Sequence, residues 1–502
     1  MMTSRFFLLA SCLLWLQLNS ITARLSSHAP IDVAEYDTTT LSNICDRNTT
    51  LGRAIIASVN LSFPGLQQVS ANVSAGHLGA ACTALCEYYR LSDTASWLRS
   101  NSTVTPSNRT VGGRVDLIVF NDTYSGFPSP PGNVKMQRNS DGGLDWTTWG
   151  PDDDDEFMNV FNRHAYFVEL LQAWEQTGNK VYSKYFSDLV VDWVTHLPCN
   201  NAAHHSESSR DADDNNAGLC APLGKRDATE RFCSWDNVTN GGQCDTGTFE
   251  SPWRSLEMGI RMQPWAQSFF GFQQATYFSD DARLLTLLGV HEHILALLVD
   301  GGHPGRGTVN WEMTQWEGLL TAVAAWPELA GAYDAGITAM NNLNQQLQSG
   351  VYVDGVETEM AAGYDMGTAA DYFNVLKLVR EASAVLPPLP TGMYDHVERM
   401  FDYGFYISDP KGCLPQHGDS NRCDVGWVQE AETFFNRSDW TYVRTNGKQG
   451  TLPSGAGHET PSAFFDWAGQ ATLRSGFDED AAWVWFDVGP YGSNAFHAHR
   501  DK

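Results

Sequence analysis

The sequence predicts a mainly α plus β protein, with helical hairpins stacked into an incomplete α/α toroid and antiparallel strands after them. Three observations predict it. From about residue 152 to 386, apolar residues recur at helical spacing in successive segments, with turn signals and no strand-like run between them. Beyond about residue 440 the texture changes to short aromatic or β-branched runs bounded by Gly, Pro and Asp. The 502 residues are 42% hydrophobic and 18% charged, which excludes a disordered chain and gives material for two large domains.

The N-terminus reads as a secretory signal over residues 1–23: Arg5, an apolar run from Phe6 to Leu16, then small residues near Thr22 and Ala23. Residues 24–140 are rich in Ser, Thr and Asn, with a helix expected over "LGAACTALCEYYRLS". Eight Asn-X-Ser/Thr sequons, at Asn48, Asn60, Asn72, Asn101, Asn108, Asn121, Asn237 and Asn436, fit a glycosylated, secreted or secretory-pathway product. Nine cysteines remain after the signal. Cys413 with Cys423 and members of the 199–244 group read as loop-closing disulfides, and the odd count leaves one thiol free or its partner elsewhere. No other apolar run is read as long enough to span a membrane.

Residues 141–405 are assigned to the helical domain. Asp152 to Glu156 open a helix where acids compensate the dipole, and Phe161, His164, Phe167, Val168, Leu171 and Trp174 continue one apolar face. "TGN" turns the chain into a second helix over residues 180–197. Ser251-Pro252 and Ser279-Asp280 open the next two, and Asn310 is read as a cap before "WEMTQWEGLLTAVAAWPEL". Helices follow over 335–350 and 371–386, with one more after "LPPLPTG". Residues 406–502 are assigned to the β-region, with strands read at "TYVRT", "SAFFDWAG", "ATLRSG" and "AAWVWFDVG". A sheet with an open edge at its last strand is a liability, so the sheet reads as unfinished.

The formal net charge of −27 excludes a nucleic-acid partner and sets a tension with any polyanionic ligand, which would need a local basic cleft. The chain carries 17 Trp, 17 Tyr and 25 Phe; most are expected to fill gaps between helices, and any exposed ones suit sugar rings. Near the end, His497 and His499 would share one strand face beside Asp501, but a metal needs a third ligand. His291 and His293, two apart on a helix, point away from each other and form no metal pair. His417 and Asp419 sit inside the 413–423 loop.

In order and spacing, these stretches resemble the heparinase II/III family of polysaccharide lyases, heparinase III most of all. The resemblance rests on "FNRHAYFVELLQAWEQTGN", "MGIRMQPWAQSF", "VNWEMTQWEGLLTAVAAWPEL", "DGVETEMAAGY", "LPQHGDS" and "RSGFDEDAAWVWFDVGPYGSNAFHAHRDK", and runs from about Cys82 to Lys502. It implies a helical toroid against an antiparallel β-sandwich, here truncated, with a cleft for an acidic uronate polymer. It implies that Asn310 and His497 neutralise the uronate carboxylate, that Tyr364 abstracts the C5 proton, and that His499 is a metal or structural histidine. A divalent metal, Zn or Ca, in the β-domain is the one cofactor considered. Arg261, Trp311, Glu359 and His417 are candidate substrate contacts, Arg261 being read equally as an inter-helix salt bridge. Two positions depart from the family pattern: Trp311 and Asp365 stand where His is common, which bears on substrate choice.

The residue types fit the chemistry. Removing the hydrogen at C5, next to a carboxylate, builds negative charge that an amide or imidazole can stabilise and an Asp or Glu cannot. A Tyr has a free pKa of about 10, so a nearby cation must lower it for it to act as base, and Arg261 is a candidate for that tuning as well. The expected function is β-elimination of a heparan-sulfate-like glycosaminoglycan or alginate. Two alternatives stand beside it: a glycosaminoglycan uronate C5-epimerase, which takes the same proton and returns it on the other face, and a non-catalytic glycan-binding protein. The family's β-sandwich extends past "HAHRDK", so the 502-residue chain is expected to be a fragment.

Overall fold

A computed structural model describes residues 43–490 except 100–103, 126–132, 141, 149, 151–154, 198–251, 301–308, 419, 422, 424–425, 427 and 454–460. The signal segment, His497, His499, Asp419 and the cysteines of the 199–244 group lie outside the described residues.

The chain is mostly helical, with two small antiparallel sheets. Helices α1 (Ile44–Arg47), α2 (Thr49–Ala57), α3 (Gln67–Ser74) and α4 (Leu78–Leu91) come first and are tied by the Cys45–Cys82 disulfide. After α5 (Gly113–Asn121), strands β1 (Thr123–Ser125) and β2 (Asn133–Lys135) form a ribbon. The helical body follows: α6 (Asp155–Phe161), α7 (Tyr166–Thr177), α8 (Lys180–His196), α9 (Ser255–Gly271), α10 (Asp280–Asp300), α11 (Val309–Ala325), α12 (Ala332–Gly350), α13 (Ala362–Glu381) and α14 (Met393–Ile407). Short helices α15 (Gln429–Phe434) and α16 (Ser438–Arg444) lead into β3 (Ala463–Phe465), β4 (Gln470–Arg474) and β5 (Trp483–Asp487), hydrogen-bonded in the order β3-β4-β5.

The expected hairpins are present. Gly178, at φ +67°, ends α7, and the Asn179 side chain accepts from Val181 N to cap α8. Ser279 caps α10 by accepting from Ala282 N at 3.1 Å. Helix α10 runs antiparallel to α9: Arg261 meets His293, and Trp265, one turn further on, lies against Gly289, one turn further back. Helices α9, α11 and α13 are parallel neighbours. Ser255 bonds Gln315, and Gly259 abuts Gly318; Thr314 bonds Asp371, and Glu317 bonds Asn374. Each pairing advances along both helices together, so the three N-termini share one end.

Local reasoning fails at several points. Residues 152–177 are not one helix: it breaks between α6 and α7, where His164 adopts φ +57°. Trp265 Nε1 donates to His164 Nδ1 at 2.8 Å, and the ring stacks on Phe167, so a contact across 101 residues holds a backbone conformation that sequence periodicity cannot show. Helix α9 starts at Ser255, with Pro252 and Trp253 in a turn before it. Asn310 is the second residue of α11 instead of its cap, and α13 begins at Ala362, nine residues earlier than expected. "TYVRT" is helical (in α16); buried Trp440 stacks on Phe405 of α14 at 4.8 Å and overrides the β-propensity of that run. The other three strand expectations hold. Residues 280–299, mean hydropathy 1.5, do reach membrane-spanning length, contrary to the sequence reading, but α10 is the buried core helix of the body.

Of the two described disulfides, Cys413–Cys423 closes the expected loop, and Cys45–Cys82 spans 37 residues. Cys86 is the free cysteine among the described residues, and burial pushes its thiol far up, so it packs as an inert apolar group. Trp146, Trp193, Trp253, Trp265, Trp316, Trp326 and Trp440 are fully buried, so gap filling accounts for most indoles among the described residues. The inner face of the C-terminal sheet packs on α14, where Tyr403 Oη donates to Gln470 Oε1 at 2.7 Å. Its outer face is apolar and exposed, carrying Phe464, Leu473, Val484 and Phe486.

Candidate functional site

The parallel arrangement of α11 and α13 brings two sequence candidates to one end of the helical body. Asn310 lies one turn before Thr314, and Tyr364 two turns before Asp371, its partner across the helix interface at 3.1 Å. Helix N-termini carry about half a positive charge each, and three of them share this end. A chain of net charge −27 thereby presents a locally favourable field to an anion without a patch of surface lysines.

Tyr364 occupies the first turn of α13 and is 4% exposed. The residue before it, Gly363, donates its N–H to Ser420 Oγ at 2.8 Å, which fixes the 413–423 loop against the start of α13. That loop presents His417, whose Nε2 lies 3.0 Å from Asp487 Oδ2 on β5 and whose ring packs on Trp485 at 5.1 Å. The sheet is also tied to the turn before α13: Trp467 N and Ala468 N both donate to Asp354 Oδ2. Tyr364 is therefore flanked by the disulfide-closed loop. Nothing in the sequence marks Ser420, Trp485 or Asp487 as site residues, although the period-two pattern of residues 483–488 places Trp485 and Asp487 on one strand face.

Below Tyr364 is a set of buried carboxyls. Asp365 Oδ2 accepts from Glu357 N at 3.0 Å, and Thr368 Oγ1 donates to Glu357 Oε1 at 3.2 Å. Burial pushes Glu357 and Asp365 well above the usual carboxylate range, and Glu359 raises Glu357 further. Burial therefore disfavours the charged form of both groups. Asp365 thus pins the 351–360 turn to α13 and is not presented to solvent. Glu359, expected to contact substrate, is likewise interior at 1% exposure.

Arg261 is also interior, where a substrate contact was the expectation. It is 0% exposed, with Nε donating to His293 Nε2 at 2.9 Å and Nη1 donating to the carbonyls of Asn162 and Pro252 at 2.9 and 2.8 Å. Its guanidinium lies 4.6 Å from the Trp193 ring centroid. Burial pulls it down to about 9, still charged at neutral pH. It contacts no substrate and makes no inter-helix salt bridge; it cross-links α9 to α10 through a neutral histidine, whose Nδ1 donates to Gly289 O. His291 and His293 are both buried on α10, and His293 serves this packing role.

Trp311 is half-buried at the start of α11, and the Arg254 guanidinium lies 5.0 Å from its ring centroid. Arg254 is itself gripped by Glu257 through both carboxylate oxygens and by Glu156 at 3.2 Å. Arg163 bonds the same two glutamates. Burial raises Glu257, but Arg254 and then Arg163 outweigh it and hold Glu257 down at about 2. Glu156, in the acidic run expected to open a helix, also serves this network, which no local pattern reveals. Among the described residues, no group of three or more His, Cys, Asp or Glu is arranged to hold a metal ion.

The helical body thus brings three helix N-termini to one end, beside the loop carrying His417. Residues 55–442 match the heparinase II/III N-terminus, and the chain belongs to the heparinase II/III family. It is similar to the heparin-sulfate lyase of Bacteroides thetaiotaomicron, with 23% identity over 86% of this chain and 57% of that protein. It is 24% identical to the heparin-sulfate lyase of Pedobacter heparinus over 92% of this chain and 62% of that one. A crystal structure of heparinase III superposes with a TM-score of 0.63 at 20% identity, covering 87% of this chain and 61% of that chain. The heparan sulfate lyase of P. heparinus gives 0.58 at 21%, covering 89% and 62%. The chain spans about 60% of the length of the relatives it matches.

Proposed function

We propose that this chain is an exported lyase that cleaves a uronate-containing, heparan-sulfate-like polysaccharide by β-elimination. In this reading the helical hairpins close into a toroid, and the three C-terminal strands belong to a β-sandwich facing it. The observation that carries it is that α11 and α13, which bear Asn310 and Tyr364 in their first turns, run parallel, beside a loop tied to α13 by Ser420. Export is supported by two disulfides and by exposed sequon asparagines at Asn60, Asn108, Asn121 and Asn436.

Asn310 donates to the uronate carboxylate and stabilises the charge that spreads into it. His497, by resemblance, shares that task. Tyr364 takes the C5 proton; the C4–O4 bond breaks, a C4–C5 double bond forms, and the departing oxygen is protonated. A phenolate in the first turn of α13 sits at the positive end of the helix dipole. Burial disfavours the charged forms of Glu357 and Asp365, and two ionised carboxylates at this place would oppose the phenolate.

The test is the ultraviolet absorbance of unsaturated uronate on incubation with heparan sulfate, chondroitin, hyaluronan and alginate, with Tyr364→Phe as control. Absorbance should rise with heparan sulfate and fall by about 10²- to 10⁴-fold in the variant. A rise on alginate alone would change the substrate. Solvent hydrogen entering C5 without absorbance would make the chain an epimerase, and binding without either would make it a glycan-binding protein.

A further inference from the structure

Helix α13 begins without a cap of its own. Ala361, the residue before it, has the extended backbone of a cap (φ −118°, ψ 105°), but its methyl group accepts no hydrogen bond. The first N–H groups of a helix have no partner within the helix, and burying one unpaired is costly. Ser420 supplies the missing acceptor. Its Oγ takes the N–H of Gly363 at 2.8 Å, in a buried contact that spans 57 residues of sequence. Gly363 is the second residue of α13, and the second or third N–H is the one that a cap side chain takes.

The approach to α13 needs such support. Met360 adopts φ +60°, a left-handed backbone that disfavours any residue with a Cβ. Asp365 Oδ2 holds the preceding turn through Glu357 N, and Asp354 ties that turn to the sheet. Ser420 acts on the helix itself, one residue before Tyr364. Its own place is set from three sides. Ser420 N donates to His417 O at 3.1 Å, and His417 Nε2 lies 3.0 Å from Asp487 Oδ2 on β5. Past the loop, Gly426 lies against α14, where a Cβ would come 2.3 Å from Gly404 O. The Cys413–Cys423 disulfide closes the loop between these anchors.

We infer that Ser420 is a positioning residue for Tyr364: it caps α13 from a distant loop and thereby sets the turn in which the phenol stands. It acts through Tyr364 and not on the substrate. An uncapped first turn frays, and a shift of about 1 Å in a group that must meet the C5 hydrogen costs up to about 10² in rate. The inference rests on the lyase reading for the task of Tyr364, but not for the cap.

The experiment uses the full chain. Ser420→Ala removes one oxygen and adds neither bulk nor charge; Ser420→Thr keeps the hydroxyl. Asn179→Ala is the comparison. Asn179 caps α8 by accepting from Val181 N at 3.1 Å, and that end of α8 lies beside Tyr277, past the C-terminus of α9 and away from the start of α13. Native folding of each variant is checked by near-ultraviolet dichroism. Amide exchange is read on the peptide covering residues 361–366. Turnover is read as unsaturated-uronate absorbance on whichever of heparan sulfate, chondroitin, hyaluronan and alginate the wild type cleaves. Ser420→Ala should exchange about fivefold faster in that peptide. It should also lose about tenfold in kcat with KM little changed, and Ser420→Thr should recover most of both. Asn179→Ala should lower the urea midpoint by a similar amount and keep the wild-type kcat. Unchanged exchange in Ser420→Ala overturns the inference. So does an unchanged kcat, a loss that Ser420→Thr does not lessen, or an equal loss in Asn179→Ala, which would make the effect one of overall stability. If the wild type forms no unsaturated uronate while Ser420→Ala still exchanges faster, the lyase reading fails, the positioning role fails with it, and the cap remains.

Discussion

Gly318→Ala tests the helix crossing on which the site depends. A Cβ at Gly318 would lie 2.3 Å from Gly259 O and 2.4 Å from Gly259 Cα, and one at Gly259 would lie 2.6 Å from Thr314 O. These neighbours are backbone atoms of α9 and α11, so no side-chain rotation relieves the overlap. Ordinary contact requires the helices to separate by about 1 Å, and overpacking of this kind costs about 1–3 kcal/mol. Replacing glycine by alanine in a helix interior returns about 1 kcal/mol. The overlap offsets that gain, and the net expectation is a loss of up to about 2 kcal/mol, read as a lower urea midpoint at unchanged slope. The separation also moves Asn310 and Trp311 away from Arg254, and misplacement by about 1 Å is worth up to about 10² in rate. Gly336→Ala is the internal control. There the new Cβ meets Val323 Cγ1 and Pro387 Cδ at 3.2 and 3.3 Å, side-chain contacts that can yield, so that variant should be near neutral. If Gly318→Ala raises the midpoint and leaves the rate of uronate formation intact, the close crossing does not position the site and the reasoning is wrong.

Three further outcomes are expected. Stability should peak in mildly acidic solution. Glu257, held down at about 2, stabilises above its unfolded pKa, and that stability is lost as pH falls toward 2; it amounts to about 3 kcal/mol, partly offset because burial raises Glu156. Burial lifts Asp371 and Glu328 to about 7, so their contribution is present at low pH and lost as pH rises from about 4 through 7. Melting temperature against pH checks both limbs, and Glu257→Gln should flatten the acid one. Arg261→Met strands His293 Nε2 and two buried carbonyls and should cost about 3 kcal/mol or more in urea unfolding, with no change in substrate preference among molecules that remain folded. Cys413→Ser opens a loop of sequence separation 10 and should cost about 2–3 kcal/mol while lowering turnover, because that loop carries His417 and Ser420; a variant with full activity would detach the loop from the site.

The helical hairpins were legible because a helix that buries one stripe repeats its apolar residues every three or four positions, as α8 and α12 do, and because Gly178, Asn179 and Ser279 mark ends through their own backbone needs. Asn310, Trp311 and Tyr364 were legible only through the family's motif order; nothing in their local spacing distinguishes them from caps and core. Where local pattern failed, a distant partner had decided. His164 breaks a helix because Trp265 holds its ring, and the 441–445 run is helical because Trp440 docks on α14.

By itself, the sequence determined that this chain is helical hairpins followed by antiparallel strands, that Cys413 pairs with Cys423, and that its motifs run in the heparinase II/III order. These follow from periodicity, local loop closure and residue order, all of which are written along the chain. Only the tertiary structure decided that Arg261 is a buried cross-link and not a substrate contact, that Arg254 is pinned under Trp311, and that Asn310 and Tyr364 share one end of the body. Each of those depends on which helix lies beside which, and at what distance. That is set by close packing of side chains and glycines far apart in sequence, where a fraction of an ångström between Gly259 and Gly318 decides the alignment.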